Sequence, residues 1–371
     1  MKSNAFFEII VLGAGPSGCA AALQLASNGH RVAIINIGKN TTYNAIESID
    51  ASVKDVLKKL GIDESCFHQY HLPAYETISW WGGHEPIAKN SLFNANGHGW
   101  NLDKKIFNQQ LRNVCSNKQV PIFNCSELTI EHLSTNNWKI NCLIDSILHS
   151  INCKFLIDCT GRNRRLVKKL AIPVLKYDSL IAINAIYASN TTQQPTASFI
   201  ESAKNGWWFS AALPHGKRVV SFFTDAKSVA FKHNSSFSNF HHALAATKLL
   251  SAEINNYSAV NETLHIRYAN SEIASNLCGQ DWICTGDAAA TFDPLSSQGI
   301  GTALWAGISA ADAASKFIST NQQIILQQFT IDYHLMFQKY LVERSKYYQQ
   351  INKWHDSDFW KANAIIHHKN Y

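Results

Sequence analysis

"FEIIVLGAGPSGCAAALQLASNGHRVAIIN", residues 7–36, decides the fold. Phe7–Leu12 is a short apolar, β-branched run and reads as a buried parallel strand. Gly13, Gly15 and Gly18 follow at G-x-G-x-x-G spacing, with Pro16 and Ser17 between them. The first glycine permits a tight turn, the second lets backbone approach a pyrophosphate, and the third lets a helix pack on the strand. Residues 20–27 read as that helix, whose free N–H groups and dipole favour phosphate. Gly29 ends it, and Arg31–Ile35 is a second strand. Its place between strand and helix makes the motif a nucleotide site rather than a bare glycine turn. At Asn36 a carboxylate would normally grip ribose hydroxyls. Asparagine accepts with one uncharged oxygen, so the adenosine end is expected to be held loosely and the cofactor reversibly.

The chain has 371 residues, 46% of them hydrophobic, enough for one large or two intimate domains. Its formal charge of +6 is no nucleic-acid signature by itself. Nine scattered cysteines without a C-x-x-C suggest reduced thiols in a cytosol. No apolar run is long enough to span a bilayer. The histidine pairs 68/71, 241/242 and 367/368 lack accompanying ligands, so no metal site is expected.

Further along, 49–60, 102–115 and 239–254 read as helices, with Asp103 suited to the start of the second. Segments 127–132, 138–143 and 150–158 read as an antiparallel meander. A second antiparallel sheet is expected from 180–187, 198–201, 207–213 and 218–224. Residues 299–318 form a long helix, and the last fifty residues are helical with aromatic stripes.

Two later stretches complete a site. "FLIDCTGR" (155–162) is a strand followed by Thr160-Gly161, where backbone could approach the cofactor. "WICTGDAAATFDPLSSQGIGTALWAG" (282–307) ends a strand at Gly286-Asp287, turns at Pro294 and opens the long helix through Gly299 and Gly301. Asp287 could accept from a sugar or ribityl hydroxyl, and the helix N-terminus could stabilise negative charge on a ring.

GAGPSG, CTGR and GDAAATFDPLSSQGIGTAL together resemble the FAD-dependent monooxygenase superfamily of p-hydroxybenzoate hydroxylase fold. That superfamily includes flavin halogenases and isoprenoid-saturating reductases. The resemblance spans about residues 5–320. It implies an α/β fold: a Rossmann-like FAD-binding domain (1–72, 100–177, 265–320) interleaved with an antiparallel substrate domain (73–99, 178–264), then C-terminal helices (321–371). It implies that Gly13, Gly15 and Gly18 hold the pyrophosphate, that Asn36 takes the ribose position and that Asp287 contacts ribityl or phosphate. Gly161 would lie on the adenine side, and Pro294–Gly301 would face the isoalloxazine. The family helix at "GWNLDKKIFNQQL" (99–111) usually opens with arginine; Lys104 keeps the charge without the fork. Without a second glycine fingerprint, NADH or NADPH would bind transiently as reductant, with O2 as co-substrate.

Flavin halogenases carry W-x-W-x-I-P. Here Trp207, Trp208 and Leu213-Pro214 break that motif. With "SWWGGHEP" (79–86) and "YYQQINKWHDSDFW" (347–360), the pattern is nearer to flavoproteins that modify tryptophan in a partner amine or amino-acid oxidase precursor during cysteine tryptophylquinone biogenesis. The implied chemistry is hydroxylation of an aromatic ring by the C4a-hydroperoxide of reduced flavin, in a cytoplasmic enzyme with a protein substrate. Halogenation and double-bond reduction are the alternatives, and a flavin-binding holder of a partner is the non-enzymatic one. His84, His98, Glu201 and Trp208 are candidate pocket residues. "GRNRRLVKKL" (161–170) could meet NAD(P)H phosphates or a partner's acidic face, or be a solvated helix face.

Overall fold

The structure is a computed structural model that describes residues 4–37, 46–190 and 195–365. The chain folds as α/β around two sheets. The larger runs Ile122–Cys125, Val32–Ile37, Asn4–Leu12, Ile147–Asp158, Asn137–Ile144 and Glu127–Ser134, with Trp282–Cys284 also beside Ile147–Asp158. Asn4–Leu12 pairs in parallel with Val32–Ile37 and Ile147–Asp158, and the last pairs in parallel with Trp282–Cys284. Leu12 lies opposite Asp158, and Asp158 opposite Cys284. Three strands from distant parts of the chain thus end level, and the loops that follow emerge at one edge. In open α/β sheets ligands bind outside the carboxyl ends of strands.

Asn4–Leu12 is apolar nearly throughout because helices cover the sheet; Ile9, Ile10, Val11 and Leu12 are fully buried. Pro16–Ser27 packs closely on Gly299–Thr320, since small residues meet there: a Cβ on Gly307 would lie 2.3 Å from the Ser17 carbonyl oxygen.

The second sheet runs Tyr257–Ala259, Leu180–Ser189, Lys217–Asp225, Gly206–Leu213, Ser198–Ala203, Glu76–Trp80 and Ile87–Asn90. It is antiparallel except where Ser198–Ala203 meets Glu76–Trp80. Alternation along each strand sends neighbours to opposite faces. Trp208 joins Phe199, Phe222, Phe240 and Leu250 on one face. Trp207 joins Phe223, Tyr348, Phe359 and Trp360 on the other, under the C-terminal helices Ile324–Gln349 and Asp358–Ala364.

Two expected helices differ. Residues 49–60 begin as the end of strand Ile46–Ile49; Asp50 then accepts from the Ser52 N–H at 2.9 Å and caps a 3-10 turn, Ala51–Val53, that leads into the α-helix Lys54–Lys59. Residues 239–254 form two helices, Phe237–Ala245 and Leu249–Ile254. Among the described residues no helix is long and apolar enough to cross a membrane.

Candidate functional site

The three glycines do different work. Gly13 has φ +104°, and a Cβ there would lie 2.4 Å from the Cys159 carbonyl oxygen. A Cβ on Gly18 would lie 1.9 Å from the Gly13 carbonyl oxygen. Both therefore let protein meet protein. A Cβ on Gly15 would meet nothing within 4 Å. Gly15 also begins the helix with no side-chain cap, and Pro16 occupies its first turn. The start of the helix at Gly15 has open space beside it, as a pyrophosphate seat requires. Ser17 is buried beneath Gly286, whose Cβ would come 2.7 Å from the Ser17 Cβ.

The neighbouring loop is held from below. Buried Asp158 accepts from the Thr160 N–H at 2.9 Å, the Thr160 hydroxyl at 2.6 Å and the Leu166 N–H at 2.9 Å. Gly161 follows at φ +61° with open space beside it. Gly161–Asn163 packs against Gly286–Ala288, which carries Asp287. The Asp287 carboxyl is exposed in a cleft crowded by protein; loss of water there raises its pKa, and Arg162 and Lys104 pull it back. Arg162 is fixed by donating to the Asn270 Oδ1 at 3.0 Å and the Asn270 carbonyl at 3.1 Å. Lys104 opens the helix Lys104–Asn117 and pairs with Glu47, which holds its ammonium above the ordinary range. Asn36 donates through Nδ2 to the Asn124 Oδ1 at 2.7 Å, so Oδ1 is the atom it could offer a ribose.

Residues 293–301 lie between this cleft and the second sheet. Buried Asp293 accepts from the Leu295 N–H at 2.9 Å, Arg344 Nε at 3.0 Å and the Tyr348 hydroxyl at 2.8 Å. Burial pushes its carboxyl up while Arg344 draws it down. Pro294–Ser296 forms a tight turn, Ser297 adopts φ +50°, and Gly299 opens the long helix with no side-chain cap. A Cβ on Gly299 would meet nothing within 4 Å, whereas one on Gly301 would press Val53 at 2.9 Å. The Tyr348 ring continues to the second sheet, where Trp207 donates to its hydroxyl at 3.1 Å. Trp81 packs edge-on against Trp207, Tyr348 and Trp360, with ring centroids 5.4–6.0 Å apart.

Of the predicted pocket residues, the structure brings none into this arrangement. His84 is exposed in a turn. His98 packs on Tyr75 and Trp100, with Nε2 buried and unpartnered, and burial lowers its pKa. Glu201 accepts the Lys248, Leu249 and Leu250 N–H groups at 2.8, 2.8 and 3.1 Å. It caps Leu249–Ile254 and thereby breaks the expected single helix. Trp208 faces the hydrophobic core on the side away from Tyr348. These contacts give Glu201 and Trp208 structural roles. From sequence, Trp207 enters only through the broken halogenase motif and Arg162 only within CTGR and the basic run 161–170, while Asp293 and Tyr348 carry no expected site role. Strand alternation could have separated Trp207 from Trp208, but only once the buried face of each was known.

An open glycine at an uncapped helix start, level strand ends and a cleft where Arg162 and Lys104 act on Asp287 suit an adenine dinucleotide. The fold and this site define an FAD-binding flavoprotein with a Rossmann-like domain. An FAD-binding-domain family model matches residues 8–69, and the tryptophan halogenase model matches residues 67–370. The chain belongs to the tryptophan halogenase family. It is similar to LodB of Marinomonas mediterranea, described as an FAD-dependent oxidoreductase, at 27% identity over 96% of each chain. Its fold matches the flavin-dependent halogenase CmlS with a TM-score of 0.85 at 18% identity, covering 99% of this chain and 69% of that one. It also matches QhpG, a peptidyl tryptophan dihydroxylase essential for tryptophylquinone cofactor biogenesis. There the TM-score is 0.78 at 22% identity, covering 97% of this chain and 79% of QhpG.

Proposed function

We propose that this chain uses reduced FAD and O2 to oxidise an electron-rich aromatic ring, and that the reaction is hydroxylation of tryptophan in a partner oxidase precursor. When bound and reduced, FAD supplies the activation of O2. The protein's part is to hold the cofactor, position the ring and exclude water. In this reading Gly13–Gly18 and the adjoining helix take the pyrophosphate, Asn36 the ribose, Asp287 with Arg162 and Lys104 the ribityl-phosphate region, and 294–301 the isoalloxazine.

The observation that carries the reading is the path from the aromatic wall to the flavin-facing turn. Trp207 donates to Tyr348, and Tyr348 donates to Asp293 at the start of that turn. Trp81, half-buried against the buried Trp207 and Trp360, is the ring of this cluster that an indole could reach.

The family model and the CmlS likeness weigh toward halogen transfer, the alternative reaction. Hydroxylation draws support from the full-length likeness to an oxidoreductase, from the dihydroxylase among the similar folds, and from the departure at Trp207, Trp208 and Leu213-Pro214 from the halogenase motif. NADH or NADPH would be the transient source of electrons, and a reducing cytoplasm would suit the eight described cysteines, all free and buried. The test is co-expression with a tryptophan-bearing oxidase precursor in medium containing chloride and bromide, followed by peptide mass analysis. Oxygen gained on tryptophan supports hydroxylation. Halogen gained on tryptophan assigns the alternative, and an unmodified precursor beside flavin-loaded protein contradicts both.

A further inference from the structure

We propose that strand Ile87–Asn90 pairs with the same strand of a second copy of this chain, antiparallel about a two-fold axis at Ile87. The inference does not depend on the reaction proposed above. Ile87–Asn90 is the last strand of the second sheet and pairs on one side only, with Glu76–Trp80. The Ser91 N–H donates to the Tyr75 carbonyl at 2.7 Å. Antiparallel ladders alternate, so the backbone groups of Ile87 and Lys89 also turn toward Glu76–Trp80, and those of Ala88 and Asn90 turn outward. An outward row of donors and acceptors is a template for another strand.

The side chains favour a copy of the same strand. Ile87, Leu92 and Phe93 are 71%, 85% and 92% exposed, three large apolar groups close together in the chain. Exposed apolar clusters mark contact surfaces. A lysine in an edge strand ordinarily keeps other strands away. Here Lys89 stands two residues after Ile87, and Glu85 two residues before it. Both are exposed, and among the described residues neither has an ion-pair or hydrogen-bond partner. A two-fold axis at Ile87 sets Glu85 opposite Lys89 of the partner subunit, and does so twice. It also sets Ile87 against Ile87 of the partner subunit, and the Ala88 N–H at the Pro86 carbonyl of the partner subunit. Opposite charges and apolar pairs that face each other across paired strands stabilise the pairing. An axis at Ala88 would face Lys89 with isoleucine, and one at Lys89 would face it with lysine, so the charges select the register.

The experiment is sedimentation velocity of the FAD-loaded chain over a concentration series at low salt. The expected result is a reversible dimer that weakens as salt rises. Lys89→Glu and Glu85→Lys each set like charges face to face and should weaken the dimer about tenfold. The double variant exchanges the two signs and should restore it. Ala88→Pro removes only the outward N–H and should weaken it as well. A chain that stays monomeric throughout the series overturns the proposal. So does a dimer that keeps wild-type affinity in the single variants, which would place the contact on another face. A double variant as weak as the single ones overturns it too.

Discussion

Gly15 and Gly18 stand three residues apart in one motif, and their surroundings predict opposite consequences of the same substitution. A methyl at Gly18 meets the Gly13 carbonyl oxygen at 1.9 Å, so Gly18→Ala must displace backbone and lower the urea midpoint. A methyl at Gly15 meets no protein within 4 Å, so Gly15→Ala should unfold as the wild type does. It would instead fill the space offered to the pyrophosphate, and titration with FAD should show roughly tenfold weaker binding or worse. His71 makes a second prediction at this scale. Its Nδ1 accepts from the Asp103 N–H at 3.1 Å, and its Nε2 lies 3.0 Å from the Gln110 Oε1, an arrangement that requires a neutral ring. Burial lowers its pKa from 6.5. Because the native ring resists a proton that the unfolded chain accepts, its contribution is intact above 6.5 and is lost as pH falls through the depressed native value. Unfolding free energy should therefore fall as pH drops below 6.5, and His71→Gln should flatten that slope.

Strands, glycines and the long helices were legible at the scale of elements because their signals are local. Gly13–Gly18 sits between an apolar strand and an alanine-rich helix, and Gly286-Asp287 closes another strand, so both loops could be placed before any contact was known. The break in 239–254 was not legible. It depends on Glu201, some fifty residues earlier, reaching the Lys248–Leu250 N–H groups. The tie between the Asp293–Ser296 turn and the C-terminal helices was hidden for the same reason: Asp293 meets Arg344 and Tyr348 only in the folded chain. That tie predicts the effect of Tyr348→Phe. The variant removes the acceptor of Trp207 Nε1, an atom of a residue only 1% exposed, and one donor to Asp293. The cost should be about 1–3 kcal/mol in urea unfolding. Turnover should fall further than stability alone explains, since the turn loses its anchor, while FAD affinity at the Gly15 end should hold.

For the whole molecule, the larger sheet brings its strand ends level, and the second sheet carries an aromatic cluster buried under the C-terminal helices. Asp293 and the C-terminal helices join the two. In the proposed function FAD activates oxygen and the second-sheet side selects the ring, so the oxygen in the product must originate from O2 rather than water. The most direct test supplies the FAD-loaded protein with reductant, isotopically labelled dioxygen, halide and a tryptophan-bearing precursor, and reads the product by mass. The account predicts labelled oxygen on the indole ring. A halogenated ring, or oxygen drawn from unlabelled water, would contradict it.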